Sequence, residues 1–145
     1  MPKITPFLWF NGKAQEAAKF YVSIFKKKSK VLELTPMSAI FRLAGQDFYA
    51  LNGGPQFKFT PAISMFVSCK TQKEVDYYWK KLCAGGRPSR CGWLTDKYGL
   101  SWQIIPDILN KYLNDRDKKK ANRVMQAMLQ MGKIDVQKLK DAYRQ

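Results

Sequence analysis

The sequence predicts an α+β fold built from two related strand–helix–strand units. The first observation is an internal repeat, because the pattern of residues 7–21 recurs at a constant offset of 58 residues in residues 65–79. Each copy has a short apolar strand, a polar turn and an amphipathic helix. The second observation is composition, since 145 residues with 46% hydrophobic content suit one domain or two half-modules that share a core. A repeat of this kind defines architecture, and we expect a functional cleft between the two units.

The first unit is predicted to contain one helix and four strands. Apolar residues at helical spacing predict the helix over Ala14–Phe25. The predicted strands are Ile4–Phe10, Val31–Leu34, Ala39–Leu43 and Asp47–Leu51. A tight turn at Gly45 makes the last two strands a hairpin, and the link between the second and third strands is a short segment that contains Pro36.

The second unit follows the turn cluster Asn52–Pro55 and repeats the order of the first. We predict a strand over Ala62–Ser68 and a helix over Thr71–Cys83. Thr71 and Glu74 have the spacing of a capping box at the start of this helix. Two more strands are predicted over Ser89–Thr95 and Leu100–Ile105, around a turn in which Asp96 is expected to be a turn-former rather than an acid.

A helical tail is predicted after Pro106. Its first helix is short, its second is capped by Asp117 and its third by Asp135, with a break at Gly132. No linker is long enough to make the tail a separate domain. We therefore predict a single domain over residues 1–145, with one module at about 1–55, a second at about 56–107 and the tail at about 108–145.

The net charge of +15 is the largest anomaly of the composition. Such a charge can bind phosphate backbones without sequence preference, or it can keep a surface solvated. No nucleic-acid-binding motif accompanies it, so nucleic-acid association through the basic tail is a minor alternative. No apolar run approaches the roughly 20 residues of a membrane span and no signal peptide is evident, which predicts a cytoplasmic protein. Three cysteines without metal-site spacing indicate reduced, partly buried thiols, with a reactive Cys91 as the alternative.

Several segments together resemble one known family. The segment 96–103, with the pattern Asp-x-x-Gly-x-x-Trp-Gln, resembles the closing hairpin of the vicinal oxygen chelate superfamily, the glyoxalase and bleomycin-resistance fold. More closely, the chain resembles the PhnB-like branch, whose members often carry the name 3-demethylubiquinone-9 3-methyltransferase. The segments that carry this likeness are 6–10, 50–55, 91–94, 101–106 and, in the tail, 123–129.

The resemblance implies two βαβββ modules whose strands form a glyoxalase-like curved mixed sheet around an open cavity. It also implies a homodimer as the usual state. Superfamily enzymes hold a divalent cation with His, Glu or Gln on the inner strands, where it acts as a Lewis acid. Relatives tend to have a longer glycine-rich segment between the second and third strands, and here the link at Thr35–Ser38 is abrupt.

The chain departs from the superfamily's metal chemistry. It contains no histidine, and Gln103 stands where the closing motif usually has the metal-binding glutamate. Trp9, Leu51 and Ser64 occupy the matching inner-strand regions. We therefore predict neither a bound metal nor any other cofactor. No glycine-rich turn of a methyl-donor site accompanies the methyltransferase name, and no nucleophile–base pair is evident.

What remains is a predicted cavity of aromatic rings and amides. We expect it to bind a small planar or anionic molecule, with Gln56 and Lys58 at its mouth. Trp102 has core packing as its alternative. A metal-assisted lyase, dioxygenase or transferase that uses Gln103 as a ligand is the alternative function. The predicted ligand-binding residues are Trp9, Asn52, Phe57, Trp93, Trp102 and Gln103.

Overall fold

The computed structural model describes residues 1–145, which divide into two compact units over residues 1–59 and 60–145. The predicted repeat is confirmed in its helices, because Ala14–Phe25 and Gln72–Cys83 each have 12 residues and begin 58 positions apart. The unit boundary follows Phe59, a few residues beyond the predicted module boundary. The prediction that both modules and the tail form a single domain stays a prediction.

The first unit contains one four-stranded mixed sheet and one helix. Its elements are β1 (Phe7–Phe10), α1 (Ala14–Phe25), β2 (Lys30–Leu34), β3 (Ser38–Leu43) and β4 (Gln46–Asn52). The sheet order is β1-β4-β3-β2, with β1 parallel to β4 and the other pairs antiparallel. The short link before β3 is a closed turn, because Thr35 and Ser38 exchange both backbone hydrogen bonds.

Helix α1 covers only one face of this sheet. Side chains of a strand alternate between faces, and every second residue of β3 and β1 is buried. Phe41 and Tyr21 are both fully buried where the sheet meets the helix. Along α1 the alanines at 14, 17 and 18 are buried, which lets the helix lie close to the sheet. The opposite face, with Phe7 and Tyr49, has no helix of this unit against it, so these rings are exposed.

The second unit repeats the topology of the first. It contains β5 (Ser64–Cys69), α2 (Gln72–Cys83), β6 (Arg87–Pro88), β7 (Trp93–Thr95) and β8 (Ser101–Pro106). The sheet order is β5-β8-β7-β6, with β5 parallel to β8. In the capping box of α2, Thr71 accepts the N–H of Glu74 as predicted, while Glu74 accepts the N–H of Lys70 rather than that of Thr71.

One strand prediction in this unit is wrong. Of the single strand expected over Ser89–Thr95, only β7 is a strand, and the residues before it form a turn that joins β7 to the short strand β6. The backbone reverses because Cys91 and Gly92 both have a positive φ, of 59° and 84°. Two backbone hydrogen bonds close the turn: the N–H of Ser89 donates to the carbonyl oxygen of Trp93, and the N–H of Trp93 donates to that of Arg90.

Three helices form the tail: α3 (Asp107–Leu113), α4 (Lys118–Leu129) and α5 (Val136–Arg144). The predicted caps are confirmed, since Asp117 accepts the N–H groups of Lys119 and Lys120, and Asp135 accepts that of Lys138. The tail packs on the end of β8 in a core of buried residues, Ile105, Leu109, Val124, Met131, Ile134 and Leu139.

The predicted fold class is confirmed by these elements. Each unit has the order βαβββ and its own mixed sheet, and the helical tail follows the second module. None of the helices combines the length and the apolar character that crossing a membrane requires.

Candidate functional site

Three residues lie in a row on the open face of the second sheet. Gln103 and Trp93 are predicted ligand-binding residues, and Phe66 is their neighbour. Gln103 in the middle strand β8 pairs directly with Phe66 of β5 and with Trp93 of β7. Residues that pair directly across strands point to the same face, so one amide lies between two aromatic side chains. Phe66 is 49% exposed, while Gln103 and Trp93 are half-buried. This combination can stack on a planar molecule and hydrogen-bond to it.

A neighbouring hydroxyl orients the amide of Gln103. Its Nε2 donates a 3.0 Å hydrogen bond to Oγ of Ser64 on the adjacent strand. This bond directs the amide and leaves its oxygen, Oε1, without a hydrogen-bond partner in the chain. An amide oxygen has two lone pairs, so Oε1 of Gln103 can accept a hydrogen bond from a ligand.

The tail borders this face at one end of β8. Ile105 lies two residues beyond Gln103, so alternation puts it on the same face, and it belongs to the buried core of the tail. Gly92 lets the tail lie close to the sheet, because a Cβ atom at this position would lie 2.7 Å from Cδ1 of Ile105 and 3.1 Å from Cγ1 of Ile134. The face is therefore covered around Ile105 and open around Phe66.

Trp102 points to the other side of the same strand. It is 2% exposed, and its Nε1 donates a 2.9 Å hydrogen bond to Oδ2 of Asp96. Oδ1 of Asp96 accepts the backbone N–H groups of Tyr98 and Leu100 at 2.8 and 3.0 Å. Asp96 is thus the turn-former that the sequence predicts. Trp102 packs in the core, and a ligand contact by its ring stays a prediction.

Trp9 in the first unit holds the glycine-rich turn after β4. Its Nε1 donates a 2.9 Å hydrogen bond to the carbonyl oxygen of Gly54. A Cβ atom at Gly53 would lie only 2.2 Å from a ring carbon of Trp9, so the indole requires glycine at this position. Phe57 stands edge-on to the indole at a centroid distance of 4.9 Å and is itself 66% exposed. The structure therefore brings Trp9 and Phe57 together as one aromatic pair.

Asn52 has a structural role that sequence reasoning missed. Helix α1 begins after Lys13, whose side chain does not cap it, and Oδ1 of Asn52 accepts the N–H of Ala14 at 2.8 Å. Nδ2 of Asn52 donates to Gln15 at 2.9 Å and to the carbonyl oxygen of Pro36 at 3.3 Å. These bonds satisfy an otherwise unpaired N–H of the first turn from a residue 38 positions away. Local capping signals could not have revealed it.

The residues at the superfamily's metal positions are poor in coordinating atoms. In the first unit Trp9 and Leu51 are neighbours across β1 and β4, and neither side chain can ligate a cation. In the second unit the oxygens of Ser64 and Gln103 are neutral, and these two side chains bond to each other. No group of three or more His, Cys, Asp or Glu side chains is placed to hold a metal ion. This donor set does not fit a divalent cation.

All three cysteines are free thiols, as predicted. Burial raises the pKa of the Cys69 thiol to about 12, and it also raises the pKa of Cys83. A thiol with a raised pKa is a poor nucleophile at neutral pH, because the thiolate is the reactive form. Neither Cys69 nor Cys83 is therefore suited to nucleophilic catalysis.

Comparison with known proteins gives a consistent family. Residues 2–105 match the family described as 3-demethylubiquinone-9 3-methyltransferase. Among solved structures, a protein from Bacillus cereus described as a putative 3-demethylubiquinone-9 3-methyltransferase, PhnB protein, is 35% identical with a TM-score of 0.67. The match covers 72% of this chain and 99% of that one. No curated protein matches significantly.

Two more distant structures share the fold. A protein from Pseudomonas aeruginosa has a TM-score of 0.61 at 18% identity, over 73% of this chain and 98% of that one. The fosfomycin resistance protein FosX from Listeria monocytogenes, solved with Mn(II) and sulfate, has a TM-score of 0.52 at 13% identity, over 70% of this chain and 87% of that one. The family match ends at residue 105, so the tail, including segment 123–129, lies outside it.

Proposed function

Because the chain belongs to the 3-demethylubiquinone-9 3-methyltransferase family, in the PhnB-like branch of the vicinal oxygen chelate superfamily, we propose that it binds a small planar or anionic molecule without a metal. The row Phe66–Gln103–Trp93 carries this proposal. Two rings on either side of an amide offer stacking and one directed hydrogen bond, which is the usual composition of a small-molecule site. The cleft between the modules, as the place of the ligand, stays a prediction.

The glycine content of the turns supports ligand binding more than methyl transfer. The family description names a methyltransferase, but the strand-to-helix turns of this chain are Asn11-Gly12-Lys13 and Lys70-Thr71. Neither turn has the run of glycines that lets a backbone approach a nucleotide-like cofactor closely. Gly53 supports this reading, because its missing side chain makes room for Trp9 rather than for a cofactor.

A binding experiment with a planar anion tests the proposal. We expect naphthalene-2-sulfonate to bind the full chain in isothermal titration calorimetry. Gln103→Leu and Phe66→Ala should each weaken binding by about fivefold, because a hydrogen bond or an aromatic contact contributes about 1 kcal/mol. Gln126→Leu on the exposed surface of α4 is the matched control and should leave the affinity within about twofold.

The outcomes separate the alternatives. Planar anions that fail to bind, or that bind equally well to Gln103→Leu and Phe66→Ala, would refute the proposal. We also expect Mn²⁺ to leave the unfolding temperature unchanged, since the available oxygens are neutral. An Mn²⁺-dependent rise in that temperature that disappears in Gln103→Leu would favour the metal-assisted lyase, dioxygenase or transferase.

A homodimer remains part of the proposal. Phe7 and Tyr49 form an edge-to-face pair at 5.8 Å on the open face of the first sheet and are 61% and 40% exposed. Exposed aromatic side chains that lie together are typical of protein interfaces. We expect twice the chain mass in light scattering, and a dimer that persists unchanged in Tyr49→Glu would place the interface elsewhere. The cytoplasmic location stays a prediction.

A further inference from the structure

A cationic pocket lies at one end of the first sheet, away from the predicted ligand-binding residues. It has a volume of about 520 Å³ and lies where the turn after α1 meets the β3–β4 hairpin. Its lining includes four cationic side chains and a single carboxylate, Asp47, so the net charge of the lining is +3. Asp47 and Asn52 are five positions apart in β4, which puts the pocket roughly 17 Å along the strand from the glycine-rich turn.

Three charged residues line up across the strands at this pocket. Lys30 of β2 pairs directly with Arg42 of β3, and Arg42 pairs directly with Asp47 of β4. Arg42 Nε donates to Oδ1 of Asp47 at 2.6 Å, and Lys3 donates to Oδ2 at 2.6 Å. Like charges directly opposite each other destabilise a sheet, so the Lys30–Arg42 pair is unfavourable unless an anion lies between them.

The charge of the pocket is not balanced within the chain. Asp47 already accepts from Lys3 and Arg42, while neither Lys28 nor Lys30 forms an ion pair. The hydrogen bond from Arg42, followed by that from Lys3, lowers the pKa of Asp47 to about 2, so the carboxylate is ionised at neutral pH. Two ammonium groups and one edge of a guanidinium are therefore available to an incoming anion.

The backbone holds the rim of the pocket in place. Gly45 N–H donates to the carbonyl oxygen of Lys28 at 2.9 Å, and Ala44 N–H donates to Oγ of Ser29 at 3.0 Å. These bonds join the turn after α1 to the hairpin turn, although the two are about 15 residues apart in sequence. A site whose cations start from a fixed backbone loses less conformational entropy when it binds a ligand.

We propose that this pocket binds a small phosphate-bearing polyanion, of the size and charge of a diphosphate. Arginine and lysine together suit phosphate, because the guanidinium fork contacts two oxygens and the ammonium groups act as point charges. A diphosphate group has a charge of about −3 at neutral pH, which matches the net charge of the lining. The pocket shares no residue with the row Phe66–Gln103–Trp93, so the proposal does not depend on the proposed function.

Calorimetric titration of the full chain with inorganic pyrophosphate tests the site. At about 25 mM NaCl, where screening is weak, we expect saturable one-to-one binding. Lys28→Gln combined with Lys30→Gln should weaken it by at least about tenfold, since two weakly screened attractions are lost. Lys118→Gln combined with Lys119→Gln removes the same charge from α4 and should change the affinity by less than about twofold.

Each result supports or overturns the assignment. Absence of saturable binding, or an equal loss in the α4 control, would overturn it in favour of diffuse surface charge. Citrate, a compact anion of similar charge without phosphate, should bind at least about fivefold more weakly because it cannot match the guanidinium and ammonium groups as closely. Equal affinity for citrate would overturn the phosphate preference. Naphthalene-2-sulfonate binding should be unaffected by the Lys28 and Lys30 substitutions, which separates this site from the proposed ligand face.

Discussion

At the scale of single residues, the polar side chains of Asp96 and Asn52 form hydrogen bonds that hold the fold. Asp96 is 3% exposed. It accepts hydrogen bonds from the backbone N–H groups of Tyr98 and Leu100 and from the buried indole of Trp102. Asn52 caps α1 from the end of β4. Gln103 differs from both, because its amide oxygen remains available while its nitrogen is held by Ser64. This difference supports our proposal that Gln103 contacts a ligand.

The substitution Asp96→Asn should destabilise the chain. The new amide has one oxygen, so its NH₂ group would face either the indole N–H of Trp102 or the backbone donors of the turn. A buried donor left without an acceptor costs about 1–3 kcal/mol. Urea unfolding measures the loss, and Asp141→Asn near the exposed end of α5 is the control, with an expected change below about 0.5 kcal/mol. A change as small as that of the control would contradict the role of Asp96.

Asp47 should make the stability depend on pH in the acidic range. Hydrogen bonds from Arg42 and Lys3 lower its pKa in the folded chain to about 2, below the ordinary value of 3.8. A lowered folded-state pKa contributes stability above the unfolded pKa, and that stability is lost as the pH falls from about 4 towards about 2. The stability difference between the wild type and Asp47→Asn should therefore shrink over this interval in pH-dependent urea unfolding. A difference that stays constant would mean that the carboxylate charge contributes nothing.

At the scale of elements, the β3–β4 hairpin contains a residue poorly suited to its backbone. Leu43 and Gln46 are directly paired, so Ala44 and Gly45 form a two-residue turn, and both have a positive φ, of 48° and 88°. Two consecutive positive φ values define the type I′ turn, which favours Asn-Gly. Glycine suits this geometry, but alanine is strained in it because its Cβ atom approaches a backbone oxygen.

Ala44→Asn should stabilise the hairpin by about 0.5–1 kcal/mol, because asparagine tolerates the left-handed conformation better than alanine. Position 44 is exposed, so the larger side chain meets no packing. Thermal unfolding measures the gain. Ala44→Val is the opposing control, since a β-branched residue should lower stability in this turn. A loss of stability in Ala44→Asn, or a gain in Ala44→Val, would contradict this account of the turn.

At the scale of the whole molecule, the chain adds a helical tail to the part that the family match covers. The tail is attached to the second module by a side chain of α2: Gln72 donates to the carbonyl oxygen of Ile134 at 3.0 Å and accepts the N–H of Val136 at 2.7 Å. Lys133 forms a 2.8 Å ion pair with Asp76 beside this contact. The tail is thus held by specific polar bonds as well as by its apolar core around Ile105.

Gln72→Met should loosen the tail while keeping the volume of the side chain. It leaves the carbonyl oxygen of Ile134 and the N–H of Val136 without partners, which costs about 1–3 kcal/mol where water is excluded. Hydrogen exchange at the start of α5 should accelerate more than exchange in α1. Gln137→Met, on an exposed position of α5, should leave the exchange rates unchanged, and equal acceleration in both variants would contradict an anchoring role for Gln72.

Local patterns in the sequence determined the elements and the family of this protein. The repeat at 58 residues predicted two equal helices, the bounds of α1 agree at both ends, and the caps at Asp117 and Asp135 lie where the sequence indicates. Helix spacing and capping depend on residues within a few positions of each other, so they can be recognised before the chain folds. The wrong strand over Ser89–Thr95 marks the limit, because the residue types of this segment do not reveal that the backbone reverses at Cys91 and Gly92.

Only the tertiary structure decided which polar groups are available to a ligand. Asn52 lies at the end of β4 and Gln103 in the middle of β8, and both side chains are amides. Folding pairs the amide of Asn52 with α1, whereas it leaves the amide oxygen of Gln103 open. The alignment of Lys30 with Arg42 likewise depends on strand register. These contacts join residues that are distant in sequence, and register and long-range hydrogen bonding are set by the packing of whole elements.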